Sequence, residues 1–219
     1  MPSDPAGNVL GLERFQALWQ RCLIADAADH SSYIHQRLLD GYREPQRHYH
    51  TLAHIAQCLG MFDQCKSLAG NPDALELAVW FHDVIFEPGK PDNEKRSADL
   101  YMQLSEDVHD TPTRDLVVRL IMATLHDGGS LIDDDASYMV DIDLSSFGLS
   151  WDAFLQDSQN LRRESADLSD AEYYRRTTSF QNCLLAKERF YQSDYFAERL
   201  ESQARTNLAR YFEYINQQP

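Results

Sequence analysis

The stretch Leu12-Glu13-Arg14-Phe15-Gln16-Ala17-Leu18-Trp19-Gln20-Arg21-Cys22-Leu23 carries apolar residues at positions 12, 15, 18, 19, 22 and 23. Steps of three and four place those side chains on one face of an α-helix, because 3.6 residues complete a turn. Leu116, Val117, Leu120, Ile121 and Thr124 repeat the pattern. Thr111-Pro112 ahead of them reads as a helix opening, since the first turn has no use for the N–H that proline lacks. Ser169-Asp170-Ala171-Glu172 is a capping-box pattern that opens a long segment toward Phe190. A final helix is expected from about Asp194 to Ile215. No run alternates with period two between hairpin turns. The expectation is an all-α fold of about nine or ten helices without a substantial sheet.

Gly70-Asn71-Pro72, Glu87-Pro88-Gly89-Lys90-Pro91, Gly128-Gly129 and Gly148 interrupt the chain. None is long enough to be a flexible linker. The whole chain, 1–219, therefore reads as a single domain. N-terminal helices are expected over about 8–47, a core over 47–148 and C-terminal helices over 150–217. The first eight residues read as frayed, and Asp133-Asp134-Asp135 as a solvated helix start, because aspartates favour helix N-termini.

Charge narrows the function classes. The 219 residues hold 20 Lys plus Arg against 35 Asp plus Glu, a formal net charge of −15. A nucleic-acid binder needs a positive field for the phosphate backbone, and an anionic membrane surface makes the same demand, so neither is an expected partner. Hydrophobic residues make up 43% of the chain, enough for a packed core. The longest uninterrupted apolar run, Leu77 to Phe81, is far too short to span a bilayer. Met1-Pro2-Ser3-Asp4 shows neither the basic stretch nor the apolar core of a secretory leader, so a cytoplasmic protein is expected. Cys22, Cys58, Cys65 and Cys183 form no CxxC pair and read as reduced cysteines of a core.

Three segments interrupt this pattern with chemistry. Arg47-His48-Tyr49-His50-Thr51-Leu52-Ala53-His54-Ile55 sets His50 and His54 four residues apart, one face of a helix. Trp80-Phe81-His82-Asp83-Val84 places an ionisable pair at the end of the apolar run. Val140-Asp141-Ile142-Asp143-Leu144 places two carboxylates among aliphatic residues. Burying such groups without partners is costly. A divalent cation is the natural partner: imidazole donates nitrogen, carboxylate donates oxygen, and the ion cancels the negative charge.

A histidine, then an adjacent His-Asp, then a late aspartate is an order that resembles the HD superfamily of metal-dependent phosphohydrolases. The matching residues are His54, His82-Asp83 and Asp143. The closer resemblance is to a subfamily of small bacterial predicted HD phosphohydrolases. Its signatures look like Tyr49-His50-x-x-x-His54-Ile55, Trp80-Phe81-His82-Asp83-x-x-Phe86-x-Pro88 and Asp92-Asn93-Glu94-x-x-Ser97-Ala98. Ala123-Thr124 with His126, Asp141-x-Asp143-Leu144 and Ala204-Arg205-x-Asn207-Leu208 also match, so the resemblance runs from about Arg47 to Leu208. It implies His54, His82, Asp83 and Asp143 as metal ligands. Similarity to cyclic-nucleotide phosphodiesterases, in the histidine pair and in Asp143-Leu144-Ser145, implies His50 as general acid and prefers Asp143 to Asp141 as the ligand. Asp141 is then a supporting or capping residue. Histidines like His126 complete a two-metal site in many such enzymes, and Glu94 is a candidate to position water or substrate.

The implied activity is hydrolysis of a small phosphate ester, a nucleotide or related metabolite, by metal-activated water, with one or two ions. A mixed His/Asp shell suits Mn, Fe, Co or Ni better than Mg, which prefers oxygen. Asp83 or Asp143 accepts the water's proton, so Asp83 is expected to serve the proton chemistry as well as the metal. Lys90, Lys95, Arg96, Arg163 and Arg205 are the candidate cations for an anionic substrate. The alternatives are a metal-containing nucleotide sensor without turnover, and a pyrophosphohydrolase or cyclic phosphodiesterase. The aromatic-rich segment from Tyr191 to Tyr214 would supply an exposed apolar face for a homodimer.

Overall fold

The computed structural model describes residues 9–126 and 134–217. The expectations for the first eight residues, for Asp127-Gly128-Gly129 and for Asp133 lie outside them. Among the described residues the chain forms ten α-helices, two short 3-10 helices and no strand, as the helical spacing predicts. None of these helices is long and apolar enough to cross a membrane. The chain divides into two compact units, up to Met139 and from Val140.

The first unit contains helices α1 (Leu12–Cys22), α2 (Ser31–Gly41), α3 (Leu52–Cys65), α4 (Pro72–Phe81), α5 (Asn93–Leu104) and α6 (Thr111–Ala123). Its axis is α4, buried at every position from Ala74 to Phe81. A helix apolar all round has to be enclosed by others, and α1, α3, α5 and α6 all pack on it. Proline at its first turn and the Asn71 side chain, which accepts the Ala74 N–H, start it. The expected face of α1 is in place for Phe15, Leu18 and Trp19, which are fully buried, whereas Leu12 is exposed. The buried acid of α4, Glu76, is met by Arg14 at 2.6 Å, and the same guanidinium reaches Asp63 at 2.7 Å. One cation thus joins α1, α3 and α4. Thr111–Ala123 begins where Thr111-Pro112 indicated, with Asp110 as the capping side chain.

Asp135 is not the solvated residue expected of an acidic helix start. It is buried, and its two oxygens accept the backbone N–H groups of Gly70 and Asn71. Its neighbour Asp134 is exposed. Helix α7 (Asp134–Asp143) carries both, and the division between the units falls within this helix.

The second unit continues with a 3-10 turn over Leu144–Gly148 and helices α8 (Trp151–Glu164), α9 (Asp170–Leu185) and α10 (Asp194–Asn216). Here α10 covers the 3-10 turn closely: a Cβ on Gly148 would meet Leu200 Cβ at 2.6 Å. Asn207 donates to the Phe147 and Leu149 carbonyls, and the Tyr191 hydroxyl donates to Leu144. Ser169 caps α9 as the capping-box pattern indicated, but α9 ends at Leu185 rather than near Phe190. Of the aromatics from Tyr191 to Tyr214, Tyr191, Phe196 and Tyr211 are buried in this unit, where α10 packs on the 3-10 turn, α8 and α9, while Tyr195, Phe212 and Tyr214 are half-buried.

Candidate metal centre

The centre is built where two segments of the first unit meet. The first enters from Arg47. Thr51 is extended, and its hydroxyl accepts the Ala53 N–H, so α3 begins at Leu52. His50 therefore stands outside the helix, ahead of its cap, and not on a shared helical face with His54 as four-residue spacing implies. The two rings still approach, 6.0 Å between centroids, because the turn at Tyr49–Thr51 folds His50 back over the helix start. His54, in the first turn of α3, is buried.

The second segment is the end of α4. His82 is the C-cap of that helix, and its N–H still bonds to the Ala78 carbonyl. Its ring Nδ1 lies 3.0 Å from the Val79 carbonyl. A carbonyl only accepts, so Nδ1 carries a proton and in the neutral ring Nε2 turns its lone pair toward the centre. That Nε2 is 3.3 Å from His54 Nε2 and 3.1 Å from Asp83 Oδ2, and His54 Nε2 is 3.5 Å from the same oxygen. His50 Nε2 stands further out, 4.0 Å from Asp83 Oδ2, with its side chain about one-fifth exposed. Its ring stacks on Phe86 at 4.1 Å.

Burial opposes a charge on Asp83. Where these rings carry protons, the neighbouring His82 and His50 charges and hydrogen bonds from His54 and His82 outweigh it and hold the carboxyl well below the usual carboxylate range; a bound cation would take the place of those protons. The result is one carboxylate ringed by three imidazoles.

These residues pass a geometric test for a divalent ion. Donors bound at about 2.0–2.2 Å and separated by roughly 90–110° lie about 3.0–3.5 Å apart. The three donor separations, 3.1, 3.3 and 3.5 Å, match that range. The His82 tautomer, pinned from behind by a backbone carbonyl, is the arrangement by which ligating histidines are normally oriented. Cys58, one turn on from His54 in α3, is fully buried, with Sγ 3.6 Å from His54 Nε2 and 3.8 Å from Nδ1, which sets the sulfur beside the imidazole ring. His54, Cys58 and His82 each offer an atom within 4.8 Å of the others.

Arg47 opens the histidine segment, and the structure gives it a role. Its side chain is fully buried. It donates to the carbonyls of His50 (3.0 Å), Asp83 (2.7 Å) and Val84 (2.9 Å), and to Glu44 (3.1 Å). It thereby satisfies the carbonyls of the turn that follows α4 and ties the His50 segment to that His-Asp turn. The Tyr42 and Phe86 rings flank it at 5.3 and 5.5 Å. Gly41 lets α2 approach the same turn, because a Cβ there would meet the Val84 carbonyl at 2.9 Å. Replacing Arg47 by alanine leaves three carbonyls and Glu44 without this donor. The expected loss is about 3–5 kcal/mol of unfolding free energy, read from the denaturant midpoint. Arg47→Lys is expected to recover only part of it, since one ammonium lacks the planar fork. A midpoint within experimental error of the parent for Arg47→Ala would show that the fan of bonds carries no weight.

The remaining expected residues are placed as follows. Glu94 is half-buried in the first turn of α5. His126 follows α6 in a left-handed backbone conformation, φ 50°. Lys90 is exposed, Lys95 pairs with Asp99 at 2.6 Å and Arg96 with Glu87 at 2.6 Å. In the second unit, Asp143 is the last residue of α7 and is half-buried. Asp141 is fully buried and accepts from the Gln192 and Ser193 N–H groups and the Ser193 hydroxyl, each at 2.7 Å. Burial raises its carboxyl to about 6 against the pull of those three donors. It is a clamp on the entry to α10, the capping role among the two expected for it. Arg205 pairs with Glu201 and donates to the Leu185, Lys187 and Glu188 carbonyls, closing the end of α9. Arg163 is exposed on α8 and donates to Asn160.

No family model, no curated protein and no solved structure matches this chain.

Proposed function

We propose that the protein is a metal-dependent phosphohydrolase of the HD type, cleaving a small phosphate ester such as a nucleotide. The observation that carries this reading is the convergence of His54 Nε2, His82 Nε2 and Asp83 Oδ2 at metal-ligand separations, with His82 held in the ligating tautomer. The resemblance to HD enzymes names Asp143 as a further donor, and it keeps that part in the proposal. A divalent ion bound here acidifies a water and polarises a phosphoryl oxygen. The donor set of nitrogen and oxygen favours Mn, Fe, Co or Ni over Mg.

The chain's own residues do the rest. His54 and His82 present neutral lone pairs, and Asp83 brings the negative charge that balances the ion and takes up the proton of the attacking water. His50 stands at the exposed side of Asp83, stacked on Phe86 so that its ring is held while its edge reaches solvent. It donates a proton to the leaving oxygen. Glu94 positions water or substrate. A proton donor at the rim favours turnover over sensing, because a module that only binds has no leaving group to protonate.

The test is a phosphate-release screen of purified protein over phosphorylated metabolites, cyclic diesters and nucleoside polyphosphates, with Mn, Co, Ni, Fe and Mg supplied separately. Release from a small set of monoesters is expected with transition metals and little with Mg. Nucleotide binding without release from any substrate would establish the sensor instead. Release of pyrophosphate, or opening of a cyclic diester alone, would move the protein to the neighbouring reaction class.

A further inference from the structure

We propose that the second unit holds a binding site for a small aromatic acid, a single ring bearing a carboxylate or phosphoryl group, in the cavity between α8, α9 and α10. Every residue of the site belongs to that unit, so it does not rest on the metal-centre reading.

The cavity holds about 250 Å³. That is just below the range of pockets for drug-sized molecules, about 300–1,000 Å³, and suits a one-ring compound. Arg162 and Arg163 line it from α8, Tyr174 from α9, and Tyr211 and Tyr214 from α10. The Tyr211 and Tyr214 rings lie nearly parallel, 19° apart with centroids at 6.2 Å, and give the wall apolar faces. Tyr211 is only 3% exposed, yet its hydroxyl makes no hydrogen bond among the described residues. A buried phenol normally finds a partner. The Tyr174 hydroxyl makes none either. Burial raises the Tyr211 phenol, and the neighbouring Tyr173, Tyr174 and Tyr214 raise it further, so these hydroxyls lie close together and stay protonated. They meet the cavity as O–H donors.

The cations decide the class of ligand. Arg163 is exposed, and among the described residues its one hydrogen bond runs from Nη1 to Asn160 at 3.3 Å. Its Nε and Nη2 remain to donate, in the planar fork that carboxylate and phosphate oxygens accept. Arg162 adds charge but is fixed: it pairs with Asp170 at 2.7 Å, donates to the Ser165 and Leu168 carbonyls and lies over the Tyr173 ring at 5.1 Å. Glu164, the acid at the end of α8, is buried and does not line the cavity. Tyrosine faces alone would also attract a cation. Two guanidiniums in the lining repel one.

The experiment titrates the full-length protein with benzoate, phenylphosphonate, inorganic phosphate and benzyltrimethylammonium, by calorimetry and ligand-observed NMR. The aromatic acids are expected to bind; the tighter of the two identifies the acid group. Inorganic phosphate is expected to bind at least about 10-fold more weakly, because it buries no ring, and the quaternary cation is expected not to bind. Arg163→Ala, at an exposed position, should weaken the acids by about 10-fold or more. Tyr211→Phe removes only an unpaired hydroxyl. It should weaken them about 5-fold and leave the denaturant midpoint unchanged, whereas a merely structural tyrosine would lower the midpoint and spare binding. Failure of both acids to bind, or binding that survives both variants, overturns the site. Phosphate binding as tightly as phenylphosphonate, or the cation binding as tightly as the acids, overturns the aromatic-acid class.

Discussion

His82→Ala and Asp83→Ala are each expected to emerge from purification without the divalent ion of the parent and without phosphate release. The parent should carry one to two transition ions per chain, as measured by elemental analysis. The two residues are neighbours in sequence but fail for different reasons. Removing His82 takes away a lone pair that the Val79 carbonyl holds in place. Removing Asp83 takes away the negative charge at the focus of three imidazoles, and those imidazoles then repel any cation as soon as they protonate. The loss of metal affinity should exceed the roughly 10–100-fold that follows removal of a merely supporting neighbour. Full metal content in the double variant would falsify the centre as described.

His50→Asn should separate metal binding from proton transfer. Its ring lies 4.0 Å from Asp83 and its side chain is partly open to solvent, so the variant is expected to keep its ion. Turnover should fall by roughly 10²–10⁴-fold. The fall should be steep for alkoxide leaving groups, which need a proton, and shallow for p-nitrophenyl esters, which depart as anions. The measurement is bound metal and kcat for both substrates, with His54→Asn run alongside. His54 lies against His82 and Asp83, and its loss should empty the site. Equal losses on both esters with intact metal would remove His50 from the acid role. Metal loss in His50→Asn alone would exchange the two assignments.

Much of the fold could be read from spacing, because helices packed through one face must repeat every three or four residues. Phe15, Leu18 and Trp19 follow that rule, and Pro112 and Ser169 mark helix starts with chemistry that acts locally. The end of α9 could not be read in this way. No glycine or proline stops it at Leu185; Arg205, twenty residues further on, takes the open carbonyls. A cap supplied from elsewhere in the chain leaves no local trace.

The candidate site divides along the same line. His54, His82 and Asp83 stand out because ionisable groups in apolar helices require partners. Residue spacing alone misplaces His50. Thr51 before Leu52 is a cap signal, and it puts His50 outside the helix. Cys58 is the small core residue that a buried cysteine usually is, packed beside the His54 ring. Arg47 carried no readable signal, because a guanidinium binding carbonyls obeys no periodicity. Asp141 was noticed for the right reason, a carboxylate among aliphatic residues, and its partners proved to be backbone N–H groups at positions 192 and 193.

His54 and His82 are 28 residues apart and belong to one helix-loop-helix. Bridging them closes a short contour of chain, a local event as the polypeptide collapses. It makes no demand on the distant parts of the sequence, so the pocket's two nitrogens can meet early in folding. A bridge of that span removes loop entropy from the unfolded chain worth roughly 3–4 kcal/mol, much as a covalent cross-link would. Unlike a cross-link, an ion held there could be drawn out with a chelator and put back, so the hairpin's firmness would answer to the supply of ions around it.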